Sequence, residues 1–436
     1  MWRIDRHGEK PSMPIGPFST SVQGSCPEGQ SERRHRAPGC RLLFLAPQPF
    51  FEVRGTPINV RRMVETLAQA GYAIDLVTYP VGEDVDIPGV RILRVPGWPG
   101  LRQIPVGPSL RKIPLDGLMA LYTFFRLLTR RYAVVHAVEE AALFCPWLLW
   151  IRRGTRFVYD MDSSLSDQLR YSGNLKNRRL LAMVEAMERR AVKRADFVLT
   201  VCSALTEWVH REVPGARVVQ IEDTPMEERF EPDVSEAAEL RSQWGGGTGV
   251  VLSVYTGNLE TYQGVELMLR ALADLMGRQQ VKGAGWAHRC VVVGGSEPQI
   301  ATFRGIAQRL GLREPDDIIW AGRMPLTRMP ACLAAADILL SPRTKGTNTA
   351  LKVYGYMQSG RPILATDLPT HRQALDESTA LLVPAQPRAF ATGWARLITD
   401  QPLRERLGSA AAQRVEECYS LKRFRGRLLE AYASLD

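Results

Sequence analysis

From Arg41 onward, short apolar runs alternate with longer stretches whose apolar positions recur with a helical period. In the first half the runs are RLLFLAP (41–47), AIDLVTYP (73–80), YAVVHAV (132–138), RFVYDMD (156–162), ADFVLTV (195–201) and ARVVQIED (216–223). In the second half they are VVLSVYT (250–256), HRCVVVGG (288–295), DIIWAG (317–322), DILLSPR (337–343) and PILAT (362–366). Runs apolar on both faces read as strands buried on both sides, and their alternation with amphipathic helices predicts parallel sheets with helices on both faces. Residues 57–71 make the first such helix, with Pro57 suited to its first turn. The two series are separated by residues 224–249, an acidic, Pro- and Gly-rich stretch that reads as an interdomain linker. The expected layout is a disordered tail (1–40), an α/β domain (41–223), the linker, a second α/β domain (250–418) and a final helix (419–436).

Composition adds bounds. A chain of 436 residues is too long for one ordinary core, and 45% hydrophobic with 23% charged residues is globular. The first 40 residues have no apolar core and read as no signal peptide; they are a tail or sequence upstream of the true start, for which Met13 is a candidate. The longest apolar run, Ala141 to Ile151, is too short to span a bilayer. Seven scattered cysteines without a CxxC pair argue against a disulfide framework or zinc site and fit a reducing, cytoplasmic compartment.

The net charge of +10 lies almost wholly in residues 1–215, which implies a surface facing something anionic. No zinc finger, helix-turn-helix or RNP-like motif supports nucleic acid as that partner. Residues 110–131 offer another. Leu118, Leu121, Phe124, Phe125 and Leu128 are surrounded there by Arg111, Lys112, Arg126, Arg130 and Arg131, with Trp147, Trp150, Arg152 and Arg153 following. This pattern fits a core-facing helix with a solvated face, the commoner case, and as a sharper reading a helix lying on anionic lipid.

The chemistry concentrates in residues 341–366, SPRTKGTNTALKVYGYMQSGRPILAT. They read as loop, helix, turn and strand, with Asn348 or Thr349 as helix cap and Gly360 and Pro362 as its stop. No acid occurs between Asp337 and Asp367, while Arg343 and Lys345 precede the helix and Lys352 lies in its first turn. Cations at the positive end of a helix dipole cost stability unless an anion offsets them. With Gly346, that describes a phosphate site.

Other loops follow strands. Arg54, Gly55 and Thr56 lie after the first strand, where a doubly wound sheet presents ligands. Glu139 and Glu140 stand where the run 132–138 ends. Asp160 and Asp162 close the run 156–162 and could orient hydroxyls, Asp162 accepting a proton. Gly257, Asn258, Gln263 and Gly264 form the turn after the strand at 250, and Gly294, Gly295 and Arg323 line the neighbouring edge.

These stretches together, covering about residues 41 to 436, resemble glycosyltransferase family 4, the retaining nucleotide-sugar glycosyltransferases of GT-B fold. The resemblance implies two Rossmann-like domains facing a cleft, with residues 343–352 holding the donor diphosphate and ribose. The sequence departs from the family in several places. His136 matches the first of two family histidines, but Val138 replaces the second, leaving Glu139 as the nearest polar substitute. Asn258 and Gln263 stand where two diphosphate-gripping cations are usual. The paired glutamates fall at Thr347 and Gly355. A branch carrying GTNT…LK is similar, with Lys352 in the helix and Leu351 before it. Such a protein is expected to move a sugar from a nucleotide sugar to a hydroxyl of a glycan or lipid-linked acceptor, with retention. No cofactor or metal is expected. The catalytic set would be Glu139, Asp162 and Lys352. The donor set would be Arg54, Gly55, Thr56, Gly257, Asn258, Gln263, Gly264, Gly295, Arg323, Arg343, Lys345, Gly346, Thr347, Asn348, Thr349, Leu351 and Lys352. A non-catalytic nucleotide-sugar-binding protein and a nucleotide-sugar epimerase are the alternatives.

Overall fold

Among the described residues, thirteen strands fall into two sheets, each parallel throughout. The first holds β1 (Arg41–Ala46), β2 (Ala73–Thr78), β3 (Val90–Arg94), β4 (Val134–Val138), β5 (Arg156–Met161), β6 (Phe197–Thr200) and β7 (Val218–Gln220), in the order β3-β2-β1-β4-β5-β6-β7. The second holds β8 (Val250–Thr256), β9 (Ala287–Val293), β10 (Ile318–Gly322), β11 (Ile338–Ser341), β12 (Ile363–Thr366) and β13 (Leu381–Val383), in the order β10-β9-β8-β11-β12-β13. The computed structural model describes residues 40–51, 55–98, 101, 104, 109, 112–172, 177–282, 287–346 and 348–435. Residues 1–39, Arg54, Arg111 and Thr347 lie outside them.

The order of each sheet reverses once. The reversal lies between β1 and β4 in the first lobe and between β8 and β11 in the second. Ligands of open α/β sheets bind in the crevice at the carboxyl ends of those central strands. The residues singled out at 54–56, 139, 257–264 and 343–352 all follow one of those four strands.

Each sheet is covered on both faces. Leu43, Leu45, Val135 and Phe157 pack on one side of the first, while Leu42, Phe44, Val134 and Val158 pack on the other. The second of these cores is completed by the helix Leu421–Ala433, whose Phe424, Leu428 and Tyr432 are buried against β1, β4 and β6. Tyr432 also reaches His136, its hydroxyl 2.6 Å from Nδ1, and His136 stacks on Phe44 with ring centroids 3.9 Å apart.

The stretch 224–249 is not all linker. It contains a helix, Val234–Gln243, capped by Asp233, and its Leu240 and Trp244 enter the core of the second lobe. An acidic, glycine-rich composition hid two anchoring side chains. The first helix begins at Gly55, two residues before the proline expected to open it.

Candidate functional site

The loops after β8 and β11 are pressed together by backbone that only glycine allows. A side chain at Gly264, where φ is 75°, would sit 1.9 Å from the Pro342 carbonyl oxygen. One at Gly294, where φ is 117°, would sit 2.0 Å from that of Gly257. These close approaches bring the first turn of the helix Leu351–Gln358 beside Gly257.

Lys352 lies at that point. Its ammonium nitrogen is buried 4.0 Å from the centroid of the Tyr255 ring and has no hydrogen-bond partner among the described residues. Tyr255 is fixed beneath it by donating its hydroxyl to the Asn258 carbonyl oxygen, 2.6 Å away. Burial, reinforced by the charge of Arg343, holds Lys352 well below the usual lysine range. A cation–π contact offsets only part of such a desolvation. Leu351, the preceding residue, packs against core residues of both lobes, so Lys352 lies where they meet.

The other cations behave differently. Arg343 turns inward, donating to the carbonyl oxygens of Lys345 (2.8 Å) and Asn348 (2.9 Å) and to Thr370 Oγ1 (3.1 Å). It therefore holds the loop in shape, with its guanidinium beneath Gly346, whose φ is 141°. Lys345 is exposed. The expected cap is absent: the helix opens at Leu351 after Ala350, with no side-chain cap. Thr349 donates instead to Gln373 Oε1 at 2.8 Å, and the Asn348 carbonyl oxygen receives both Arg343 and Thr370. The positive end of this helix thus has no side-chain cap among the described residues.

Of the remaining donor-side residues, Gln263 is buried with its Oε1 unpartnered among the described residues. Gly257 and Gly295 adopt positive φ, and the Gly295 carbonyl oxygen accepts a hydrogen bond from exposed Arg323, 3.1 Å away. Asn258 uses its own side chain locally, accepting from the Glu260 N–H at 3.4 Å. His371 is fully buried between Ser341 and Thr366, and burial lowers its pKa to about 4, so it serves the core.

The first lobe presents an acidic face at its own reversal point. Glu139 is the one non-glycine residue of positive φ (46°) among the described residues, and it accepts a hydrogen bond from Ser163 at 3.2 Å. Burial and the neighbouring Glu140 raise its pKa. Asp162 is buried, accepts weakly from Asn59 (3.4 Å), and is also raised, by burial and then by Asp160 and Glu139. A Thr56 hydrogen bond opposes that shift. A side chain added at Gly55 would meet no atom of the described residues within 4 Å, so none of them requires glycine there. Ser164, rather than Ser163, caps the following helix, accepting from the Asp167 N–H at 3.3 Å.

Sequence reasoning missed one cluster beside Glu139. Lys112 pairs with Glu140, and the Tyr79 hydroxyl donates to Asp116, whose pKa is raised to about 7 by burial and by Glu140. No spacing along the chain joins positions 79, 112, 116 and 140.

Two Rossmann-like lobes, with a partnerless buried lysine on one and a crowded set of carboxyls on the other, define the class as GT-B. The comparisons agree. Residues 251–400 match the family model described as "Glycosyl transferases group 1", and residues 54–223 match that described as "Glycosyl transferase 4-like domain". The chain belongs to the GT-B glycosyltransferases of this family 4-like kind. Sucrose-phosphate synthase from Thermosynechococcus elongatus is similar in fold, with a TM-score of 0.72 at 18% identity over 91% of this chain and 99% of that one. So is HepE of Anabaena in complex with UDP, at 0.69 and 16% over 90% and 100% of the two chains. WaaG, a glycosyltransferase involved in lipopolysaccharide biosynthesis, gives 0.66 at 16% over 90% and 99%. No curated protein matches the chain by sequence.

Proposed function

We propose that the protein transfers a sugar from a nucleoside diphosphate sugar to an acceptor hydroxyl with retention and without metal, in the synthesis of a cell-surface glycan or glycolipid. The observation that carries this reading is the buried, partnerless amino group of Lys352 beside a helix N-terminus with no side-chain cap among the described residues. A donor diphosphate supplies the negative charge both are missing. HepE, solved with UDP and with UDP-glucose, supports that class of ligand.

In the transfer, the bond from the anomeric carbon to the diphosphate breaks and a bond to the acceptor oxygen forms. Negative charge grows on the leaving diphosphate, where Lys352 and the helix N–H groups oppose it without having to reorganise. Gly257, Gly264 and Gly295 let the donor approach the backbone. Asp162 receives the acceptor proton, and Glu139 holds a sugar hydroxyl. The upward shift of Asp162, from burial and then from Asp160 and Glu139, makes its carboxylate a stronger proton acceptor. The acceptor is lipid-linked and is met at the cytoplasmic face of an anionic membrane.

A melting-temperature panel of UDP, GDP, ADP and their common sugars tests the donor. A ligand of the folded state alone raises the transition by mass action. A rise with one base is expected; no rise with any of them, from folded protein, refutes the reading.

Proton linkage provides a second test. The Lys352 pKa is lowered in the fold, so the ligand-free protein gains stability as pH rises from that lowered value towards the unfolded value of 10.5. A diphosphate in contact reverses the shift and returns the proton. Nucleotide binding between that lowered value and 10.5 should therefore take up protons, read by calorimetry in buffers of different ionisation enthalpy. The uptake should vanish in Lys352→Met.

A further inference from the structure

The helix Ile113–Thr129 is apolar on two opposite sides. Leu115, Met119 and Leu127 are buried against the first sheet, while Leu121, Phe125 and Leu128 point outward, Phe125 55% exposed. A surface helix normally turns polar residues outward. The outward side is not isolated. Arg152, in the turn after the helix Cys145–Leu148, donates to the carbonyl oxygens of Leu127 and Leu128 at 2.5 and 2.7 Å. Trp150, two residues before it, is 77% exposed. Trp147 in turn lies 5.2 Å beneath the Arg190 guanidinium, on the helix Arg178–Arg194, whose Met183 is 51% exposed. Three helical segments therefore present one face of large apolar side chains.

Its charge is of one sign. The acids on these segments are withdrawn: Asp116 accepts from Tyr79, Glu188 is buried capping the helix at Leu165, and Glu185 pairs with Arg170. The cations Arg131, Arg153, Arg178, Arg179 and Arg190 are exposed. Aromatic and aliphatic anchors ringed by arginine match an anionic bilayer surface, where apolar residues enter the headgroup boundary and cations face the lipid charge. No helix among the described residues is long and apolar enough to cross a membrane.

We infer that this face, built from residues 113–129, 145–153 and 178–194, docks the first lobe on an anionic membrane. It deepens, and rests on, the reading of a lipid-linked acceptor. The helix Cys145–Leu148 follows directly on the turn Glu139–Leu143, so the docked face continues into the acceptor-facing carboxyls. An acceptor head group would reach Glu139 while its lipid stays in the bilayer.

Flotation of the full chain with vesicles tests this without any acceptor. The protein should float with phosphatidylcholine vesicles containing phosphatidylglycerol, and stay behind with pure phosphatidylcholine or at high salt. Phe125→Ser with Trp150→Ser should weaken the binding on the order of ten-fold, as should Arg153→Glu with Arg179→Glu. All four positions are exposed, and the nucleotide-induced rise in melting temperature should be unchanged in both variants. A folded chain that ignores both kinds of vesicle overturns the inference while leaving the donor reading intact. Concentration-dependent self-association abolished by Phe125→Ser would also overturn it, assigning the face to a second copy.

Discussion

Replacing Lys352 by methionine should cut turnover on the order of 10²–10³-fold while raising, not lowering, the melting temperature of the ligand-free protein. The two effects have one origin. The Lys352 amino group is buried against Tyr255 with no hydrogen-bond partner among the described residues. Its removal should relieve a desolvation of about 1–3 kcal/mol, and methionine keeps most of its volume. The same removal leaves leaving-group charge opposed only by the helix terminus. Unfolding in urea and single-turnover rates, measured on one preparation, separate this outcome from simple damage. A variant that loses both activity and stability would show Lys352 to be structural.

The second large effect is on the final helix. Tyr432→Ala should destabilise the first lobe by about 3–5 kcal/mol, the usual cost of emptying an aromatic site. Tyr432 is fully buried among Phe44, Phe197 and Tyr72, and its hydroxyl serves His136, which also lies 3.3 Å from Asp160. Tyr432→Phe should cost only about 0.5–1.5 kcal/mol, since it removes the hydrogen bond but fills the space. Fluorescence of Trp208, buried in the core of the first lobe, would follow that transition.

How much of this was legible in the sequence depends on whether the cause was local. Strand runs such as RLLFLA and VVLSVYT declare themselves, because a strand buried on both faces must be apolar throughout. Lys352 was also legible, as a cation in a first turn where the dipole disfavours one. Its burial and its partnerless state were not, since both follow from Tyr255, nearly a hundred positions away. Thr349 failed as a cap because the helix opens one residue later, at Leu351 after Ala350, and its hydroxyl is turned to Gln373 Oε1 instead. Arg343 could not be known to turn inward, since two of its partners are backbone carbonyls that any sequence carries and the third, Thr370, lies beyond the next strand. The Lys112–Glu140 and Tyr79–Asp116 pairs are assembled by the fold alone. The outward face of residues 113–129 was half visible: its apolar residues could be counted, but which of them the core would claim could not.

The docking of residues 421–433 under the first sheet has a consequence for synthesis. The strands of the first lobe emerge from the ribosome early, yet the side chains that close the core beneath β1 and β4 belong to a helix made after the whole second lobe. At usual elongation rates the gap is on the order of ten to forty seconds. During it the underside of the nascent sheet, with Phe44 and Val134, has the helix Gly55–Gln69 against it but lacks Phe424, Leu428 and Tyr432. The lobe translated first is therefore the lobe completed last, and a chaperone that shields apolar surface has a defined interval and a defined face on which to act.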